Sequence, residues 1–343
     1  MTASTATTTT GKAVYVRWGT NRNRSDDIAA GLGYELVSVG WKLPFGWLRP
    51  LRPLVLFWKT LRILRKLRPS VIMSHHTQPF GSVACVWYGR RHRVPVATDC
   101  HNGPFIDPLW QRFPFRQGNR YALGRATVNL VHNAPFLRFV EEHSEYKGRY
   151  AILHNKIPPV AARVERVSLG ERPVVFVVFS WSIDEPVGEL LQAARLCPDF
   201  EFRVTGRVRT AMLEGHGEVP KNITFLGFVS DEDFDKNMRS AQTNLVLSTR
   251  DHVLTQACHE VVGCESPLVT SDTATARSYL RRGTVFVGNV GASIAAGVQE
   301  AIRDCERLRQ EMAELKPELD AEWNAQADAL REIVEEAQAR ERQ

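Results

Sequence analysis

The feature that most constrains this chain is an alternation of short β-branched runs with helical stretches, which stops near residue 156 and restarts at 174. In the first half "KAVYVRW" (12–18), "ELVSVGW" (35–41), "SVIMSHH" (70–76), "VPVATDC" (94–100), "TVNLVHN" (127–133) and "YAILHN" (150–155) read as strands. Helices are expected at about 25–32, over 54–67, in "FGSVACVWYGRR" and after residue 133. The second half repeats the pattern. Its strands are "VVFVVFSWS" (174–182), "FEFRVTG" (200–206), "NITFLGFV" (222–229), "TNLVLST" (243–249), "PLVTSD" and "TVFVG" (284–288). A helix over 184–196 takes Asp184 as its N-cap, and a second, capped helix covers 230–242. Such alternation predicts α/β domains with parallel, doubly wound sheets. The interruption at 157–173, "IPPVAARVERVSLGERP", has no periodicity and three prolines, so it reads as a linker. The expected organisation is a Thr-rich tail (1–11), a first domain (12–156), the linker (157–173), a second domain (174–300) and C-terminal helices (301–343), the last packing across both domains. Ligands of open α/β sheets bind beyond the carboxyl ends of the strands, which places the expected site in a cleft between the two sheets.

Charge divides the halves. Residues 1–150 hold 22 Lys and Arg against 8 Asp and Glu, whereas 151–343 hold 22 against 30. Between Glu35 and Asp99 there is no acid and there are eleven basic residues. A surface of that kind attracts an anionic partner: nucleic acid, an acidic lipid leaflet or a phosphorylated substrate. Six scattered cysteines without a C-x-x-C pair read as reduced thiols and a cytoplasmic setting. The N-terminal tail has no apolar segment of the signal-peptide kind, and "PLVLFW" (53–58) is too short to span a bilayer.

Polar residues after strands are the candidates for chemistry. In the second half these are Ser180–Ser182, Gly206-Arg207, Gly227-Phe228-Val229, Arg250-Asp251-His252 and Ser271-Asp272. The loop "DHVLT" (251–255), ahead of a helix start, suits a diphosphate, because free N–H groups and the helix dipole favour anions there. Glu260 suits the neutral diol of a ribose, and Arg207 and Arg209 supply positive charge. The plainer alternative leaves Glu260 as a local cap and Arg207 as a solvated surface residue. In the first half His101 follows a strand. The adjacent His75 and His76 point in different directions along a strand, which suits a metal poorly and leaves a substrate contact by one of them. Asp99 reads as an N-cap or a partner for a nearby arginine.

The order "FSWSIDEP…LLQAA…FEFRVTGR…PKNITFLGFVSDEDF…LVLSTRDH…HEVVGCESPLVTSD" resembles the nucleotide-sugar half of GT-B glycosyltransferases of retaining family 4, over about residues 174–300. Glu260 falls on the second Glu of that family's E-x7-E element, and Gly263, Pro267, Ser271 and Asp272 follow in place. Gly206 and Gly227 match strand-end glycines. The sequence departs from the pattern twice. His252, beside Asp251, stands where the first Glu belongs, and Ser180, Trp181 and Ser182 replace the usual Arg/Lys pair after the first strand. "NRNRSDDIAAGLG…ELVSVG" and "DCHNGPF" resemble the acceptor domain of a bacterial polysaccharide-type subgroup, with His101 at the family's acceptor-domain histidine.

The resemblance implies two Rossmann-like domains facing a cleft, a nucleotide-diphosphate sugar as donor, and transfer with retention assisted by the leaving diphosphate. It requires no cofactor and no divalent metal. His101 and His252 take the catalytic positions; Gly206, Arg207, Arg209, Gly227, Val229, Asp251, Val253, Leu254, Thr255 and Glu260 take the donor-binding ones. Basic residues Lys59, Arg62, Arg65 and Lys66 on helix 54–67, with Trp41, Phe45, Trp47, Phe57 and Trp58 nearby, favour an acceptor or membrane surface. That fits a lipid-linked or saccharide acceptor in surface polysaccharide or glycolipid synthesis, at the inner face of the cell membrane. Nucleic acid ranks below, because no stacking or groove-reading motif accompanies the charge. The rival readings are a nucleotide-sugar epimerase on the same scaffold and a non-catalytic glycosyltransferase-like subunit.

Overall fold

The computed structural model describes residues 11–19, 24–41, 45, 50–159 and 165–342. The chain forms two compact units, Met1–Lys156 with Trp323–Gln343, and Ile157–Glu322.

In the N-terminal unit the strands are β1 (Ala13–Trp18), β2 (Glu35–Val39), β3 (Val71–His76), β4 (Val96–Cys100), β5 (Val128–Val131) and β6 (Tyr150–Ile152). They form one parallel sheet in the order β2-β1-β3-β4-β5-β6. The connecting helices are α1 (Arg24–Leu32), α2 (Arg52–Leu67), α3 (Pro79–His92), α4 (Gly103–Ile106), α5 (Phe115–Leu123) and α6 (Ala134–His143). The strands are covered on both faces, as parallel sheets require. Val14, Val16, Trp18 and Ile72 pack with Leu56, Leu61 and Leu64 of α2 and with α3. Tyr15, Met73, Ala97 and Leu130 point to the other face, against Ile28 of α1 and against Trp323, Ala327 and Leu330. The period-2 alternation of β1 therefore feeds two cores at once.

In the C-terminal unit β7 (Val174–Val177), β8 (Glu201–Thr205), β9 (Ile223–Gly227), β10 (Thr243–Val246), β11 (Leu268–Ser271) and β12 (Thr284–Val287) form a second parallel sheet, ordered β12-β11-β10-β7-β8-β9. Its helices are α7 (Val187–Leu196), α8 (Asp231–Ser240), α9 (Gln256–Gly263), α10 (Ala274–Tyr279), α11 (Gly291–Arg303) and α12 (Cys305–Arg342). The order reverses between β7 and β10, as it does between β1 and β3 in the first sheet, and such a reversal is where doubly wound sheets open a ligand crevice. On α12, Met312, Leu315 and Leu319 lie in a C-terminal core, while Trp323 and the residues after it belong to the N-terminal unit.

Local chemistry explains several ends. Ser230 caps α8 by accepting from Asp233 N, with three acids in the first turn. Asn133 caps α6 through Phe136 N. One expectation needs correction: Asp184 does not cap α7, which begins three residues later behind Pro186. Residues 251–255 are a loop ahead of a helix, as expected; α9 begins at Gln256, which puts Glu260 in its second turn. The expected linker keeps residues 157–159 and 165–173 within the described chain. All six cysteines are buried free thiols. Among the described residues no helix is long and apolar enough to cross a membrane.

Candidate functional site

At the switch point of the second sheet a recess of about 600 Å³ opens beyond the carboxyl ends of β7, β8, β9 and β10. Its wall includes Ser180, Ser182, Thr205, Gly206, Gly227, Phe228, Val229, Leu247, Thr255 and Gln256. Gly206 sits at φ +83°, and a Cβ there stands 2.2 Å from the Phe179 carbonyl oxygen, so only glycine lets the end of β8 lie this close to β7. Its N–H donates to the Gly227 carbonyl at 2.8 Å, and Gly227 is also in the left-handed region, at φ +68°. The two strand-end glycines thus shape one wall. Thr255 and Gln256 bring the first turn of α9 to the same space, where the positive end of the helix dipole favours an anion.

The opposite wall is acidic. Trp181, fully buried in the left-handed region at φ +61°, anchors the loop after β7 by donating from Nε1 to Thr205 O at 3.0 Å. The loop then curls so that Glu185 accepts from Ser180 N and Oγ, both at 2.9 Å, and from Ser182 N at 3.0 Å. These backbone N–H groups are of the type that cradles phosphate; here a carboxylate of the same loop fills the cradle. Asp184 accepts from the Ser182 hydroxyl and, at 2.9 Å, from the Ser248 hydroxyl, with Arg250 Nη2 3.5 Å away. Burial opposes its ionisation, but those hydrogen bonds and the arginine outweigh it and hold the carboxyl below its ordinary value.

The residues picked out from the sequence separate into three groups. Gly206, Gly227, Val229 and Thr255 line the large recess. Val253, Leu254 and Thr255 line a smaller one with Arg250, Ser271 and Thr273. Arg207, Arg209 and Asp251 are exposed and line neither, and the half-buried His252 and Glu260 also lie outside both linings. Arg250 lines the smaller recess and pairs with Asp184 of the larger one.

The N-terminal unit gathers a buried polar cluster at the ends of β1, β3, β4 and β5. Asp99, fully buried, accepts from Arg24 Nη2 and from the Tyr15 hydroxyl, each at 2.5 Å. Asp99 is therefore an arginine partner, as one of its sequence readings held. Burial, with Asp99 facing it, pushes the Tyr15 phenol well above its ordinary value. Arg24 Nη1 also donates to His132 Nδ1 at 2.7 Å; since arginine only donates, the other ring nitrogen of a neutral His132 carries the proton and donates to Asn102 Oδ1 at 3.1 Å. Arg17 pairs with Asp26 and donates to Ser25 and Ser38. His75 and His76 diverge, as adjacent strand residues must. His75 Nε2 meets His101 Nε2 at 2.7 Å, while His76 is fully buried and neither of its nitrogens makes a hydrogen bond. Desolvation lowers both His75 and His76 to about 4, and it carries His101 well below the ordinary histidine value.

Of the basic surface, Lys59, Arg62, Arg65 and Lys66 are exposed on α2, and the outer face of the same helix presents Leu54 and Trp58, about 60% exposed. Trp41 and Phe57 instead pack against the core, and Trp47 lies outside the described residues.

Residues 13–156 match the family model described as a glycosyl transferase 4-like domain. None of the curated protein sequences matches the chain. Among solved structures, sucrose-phosphate synthase from Thermosynechococcus elongatus superposes with a TM-score of 0.71 at 13% identity, over 95% of this chain and 99% of that one. HepE from Anabaena, solved with UDP and glucose, gives 0.68 at 13%, with the same coverage. The α,α-trehalose 6-phosphate synthase from Burkholderia multivorans gives 0.64 at 15%, over 96% and 99%. The two six-stranded parallel sheets are the two Rossmann-like domains of the GT-B glycosyltransferase fold. More narrowly, residues 13–156 carry the likeness to a glycosyl transferase 4-like domain.

Proposed function

We propose that the protein is a retaining glycosyltransferase that moves a sugar from a nucleotide-diphosphate donor, UDP in kind, to a lipid-linked or saccharide acceptor. The observation that carries this is the recess at the β7–β10 switch point, shaped by Gly206 and Gly227 and closed by the first turn of α9. HepE, a similar structure, is solved with UDP and glucose. In this reading the diphosphate lies toward Thr255 and Gln256, away from Glu185, and Glu260 holds the ribose. Arg250 exchanges Asp184 for phosphate charge, and the leaving diphosphate takes the acceptor proton, so neither a protein nucleophile nor a metal is needed. His101 meets a sugar hydroxyl. The exposed basic and apolar face of α2 supports docking at an anionic membrane where a lipid-linked acceptor of surface polysaccharide or glycolipid synthesis resides.

A non-catalytic, nucleotide-binding subunit is the second reading, favoured by the carboxylates of Asp184 and Glu185 on the recess wall. A panel of nucleotide sugars, each with and without saccharide and lipid-linked acceptors, separates the two. Acceptor-dependent release of nucleotide supports transfer, and NMR of the product gives its anomeric configuration. Binding without turnover across the panel supports the subunit, and isomerisation of the donor points to an epimerase.

A further inference from the structure

His75 is the next-to-last residue of β3 and His101 follows β4. The parallel register that sets His75 opposite Asp99 brings residues 26 positions apart into contact, Nε2 to Nε2 at 2.7 Å with the rings at 88°. Asp99 completes a group whose ligand atoms lie within 4.8 Å of one another, which raises the question of a metal. The distances favour a hydrogen bond. Two imidazoles on one tetrahedral ion, with metal–nitrogen bonds of about 2.0–2.1 Å, hold their nitrogens roughly 3.3 Å apart. Both oxygens of Asp99 already accept strong hydrogen bonds, and the Arg24 guanidinium on one of them repels a cation.

We infer that His75 is a positioning residue for His101: by taking up Nε2 it fixes the ring and leaves Nδ1 as the one nitrogen presented to a hydroxyl of the sugar donor or acceptor. This rests on the reading that His101 serves glycosyl transfer. Among the described residues Nδ1 of His101 makes no hydrogen bond, and the ring is only half-buried, so that nitrogen is open to a ligand. An N–H···N bond needs one donor and one acceptor, so the pair works with both rings neutral, the state their desolvation enforces. Two proton registers are then available. With the proton on His75 Nε2, His101 accepts there and carries its own proton on Nδ1, ready to donate to a sugar oxygen. With the proton on His101 Nε2, Nδ1 is the acceptor for a sugar hydroxyl. The remaining contact of His75, Thr77 Oγ1 at 3.5 Å from Nδ1, is too long to impose either register, which is left to follow the ligand.

The test uses the full-length protein and three variants, His75→Phe, His75→Gln and His101→Ala, each checked for folding by circular dichroism. His75→Phe is expected to lower kcat on the order of 10²-fold with the donor KM nearly unchanged, the scale of a misplaced contact in a catalytic site. His75→Gln, which restores a donor and an acceptor, is expected to recover much of that loss. In ¹⁵N-labelled protein the His101 ring shifts should move toward a mixture of tautomers in His75→Phe. Wild-type turnover in His75→Phe, alongside loss in His101→Ala, overturns the inference alone, as do unchanged His101 shifts. Wild-type turnover in His101→Ala removes the role given to His101 and the inference with it. Stoichiometric zinc in the purified protein, lost in His75→Phe, shows a metal site in place of a hydrogen-bonded pair.

Discussion

Lowering the pH from 7 to 5 should destabilise the N-terminal unit through histidines that are buried without charge. His76 is the clearest probe: it is fully buried, neither nitrogen is hydrogen-bonded, and desolvation lowers its pKa from 6.5 to about 4, with the nearby Asn119 side chain opposing only in part. In the unfolded chain the same ring titrates near 6.5. Between those two values the unfolded state binds a proton that the folded state refuses, so stability falls as pH drops below about 6.5 and levels off below about 4. Linkage over the step from pH 7 to pH 5 gives a loss of about 2 kcal/mol from this residue. His75, lowered to the same value by burial, adds a similar amount. In a urea titration about 2 kcal/mol moves the midpoint by roughly 1 M. Tryptophan emission is a suitable signal, because Trp181 is the one tryptophan of eight within residues 157–322, the range of the C-terminal unit. The informative quantity is the pH 7-to-5 shift in wild type minus that in His76→Phe, from which the packing change of the substitution cancels. A difference of about 2 kcal/mol is expected; identical shifts in the two proteins refute the account of His76 as a neutral buried base.

Glu260→Ala should weaken UDP binding by about 1.5–3 kcal/mol, the worth of hydrogen bonds to a charged group, and calorimetry showing unchanged affinity removes the ribose role. Gly206→Ala forces a Cβ to 2.2 Å from a backbone carbonyl at a positive φ; a loss of about 2 kcal/mol or more in unfolding free energy is expected, together with loss of nucleotide binding. Replacing Lys59, Arg62, Arg65 and Lys66 by serine should abolish flotation with phosphatidylserine vesicles at low salt, at about 1 kcal/mol per residue, and undiminished flotation excludes α2 as the membrane face.

Much of the fold is legible because a doubly wound sheet is written in local pattern. Runs such as "VVFVV" and "VIMSHH" announce buried parallel strands, and the proline-bearing break at 157–173 separates the two series. Short helices are not legible: α4 has four residues, α10 has six, and α5 carries Gly118 in its interior. In the recess the strand-end glycines were found because a positive φ leaves glycine as a trace. Its acidic wall was not, because the sequence shows Asp184 and Glu185 without the curl that Trp181 imposes on their loop. The His75–His101 pair depends on the β3–β4 register, and two strands 20 residues apart carry no mark of how they align.

The most direct measurement is titration of the full-length protein with UDP, followed by mapping of the bound nucleotide through amide shifts or a crystal structure of the complex. A nucleotide lodged between Gly206, Gly227 and the first turn of α9, and acceptor-dependent release of UDP from a UDP-sugar by the same preparation, are the predicted results. Absence of binding at millimolar UDP, or a nucleotide located away from the β7–β10 switch point, contradicts the account.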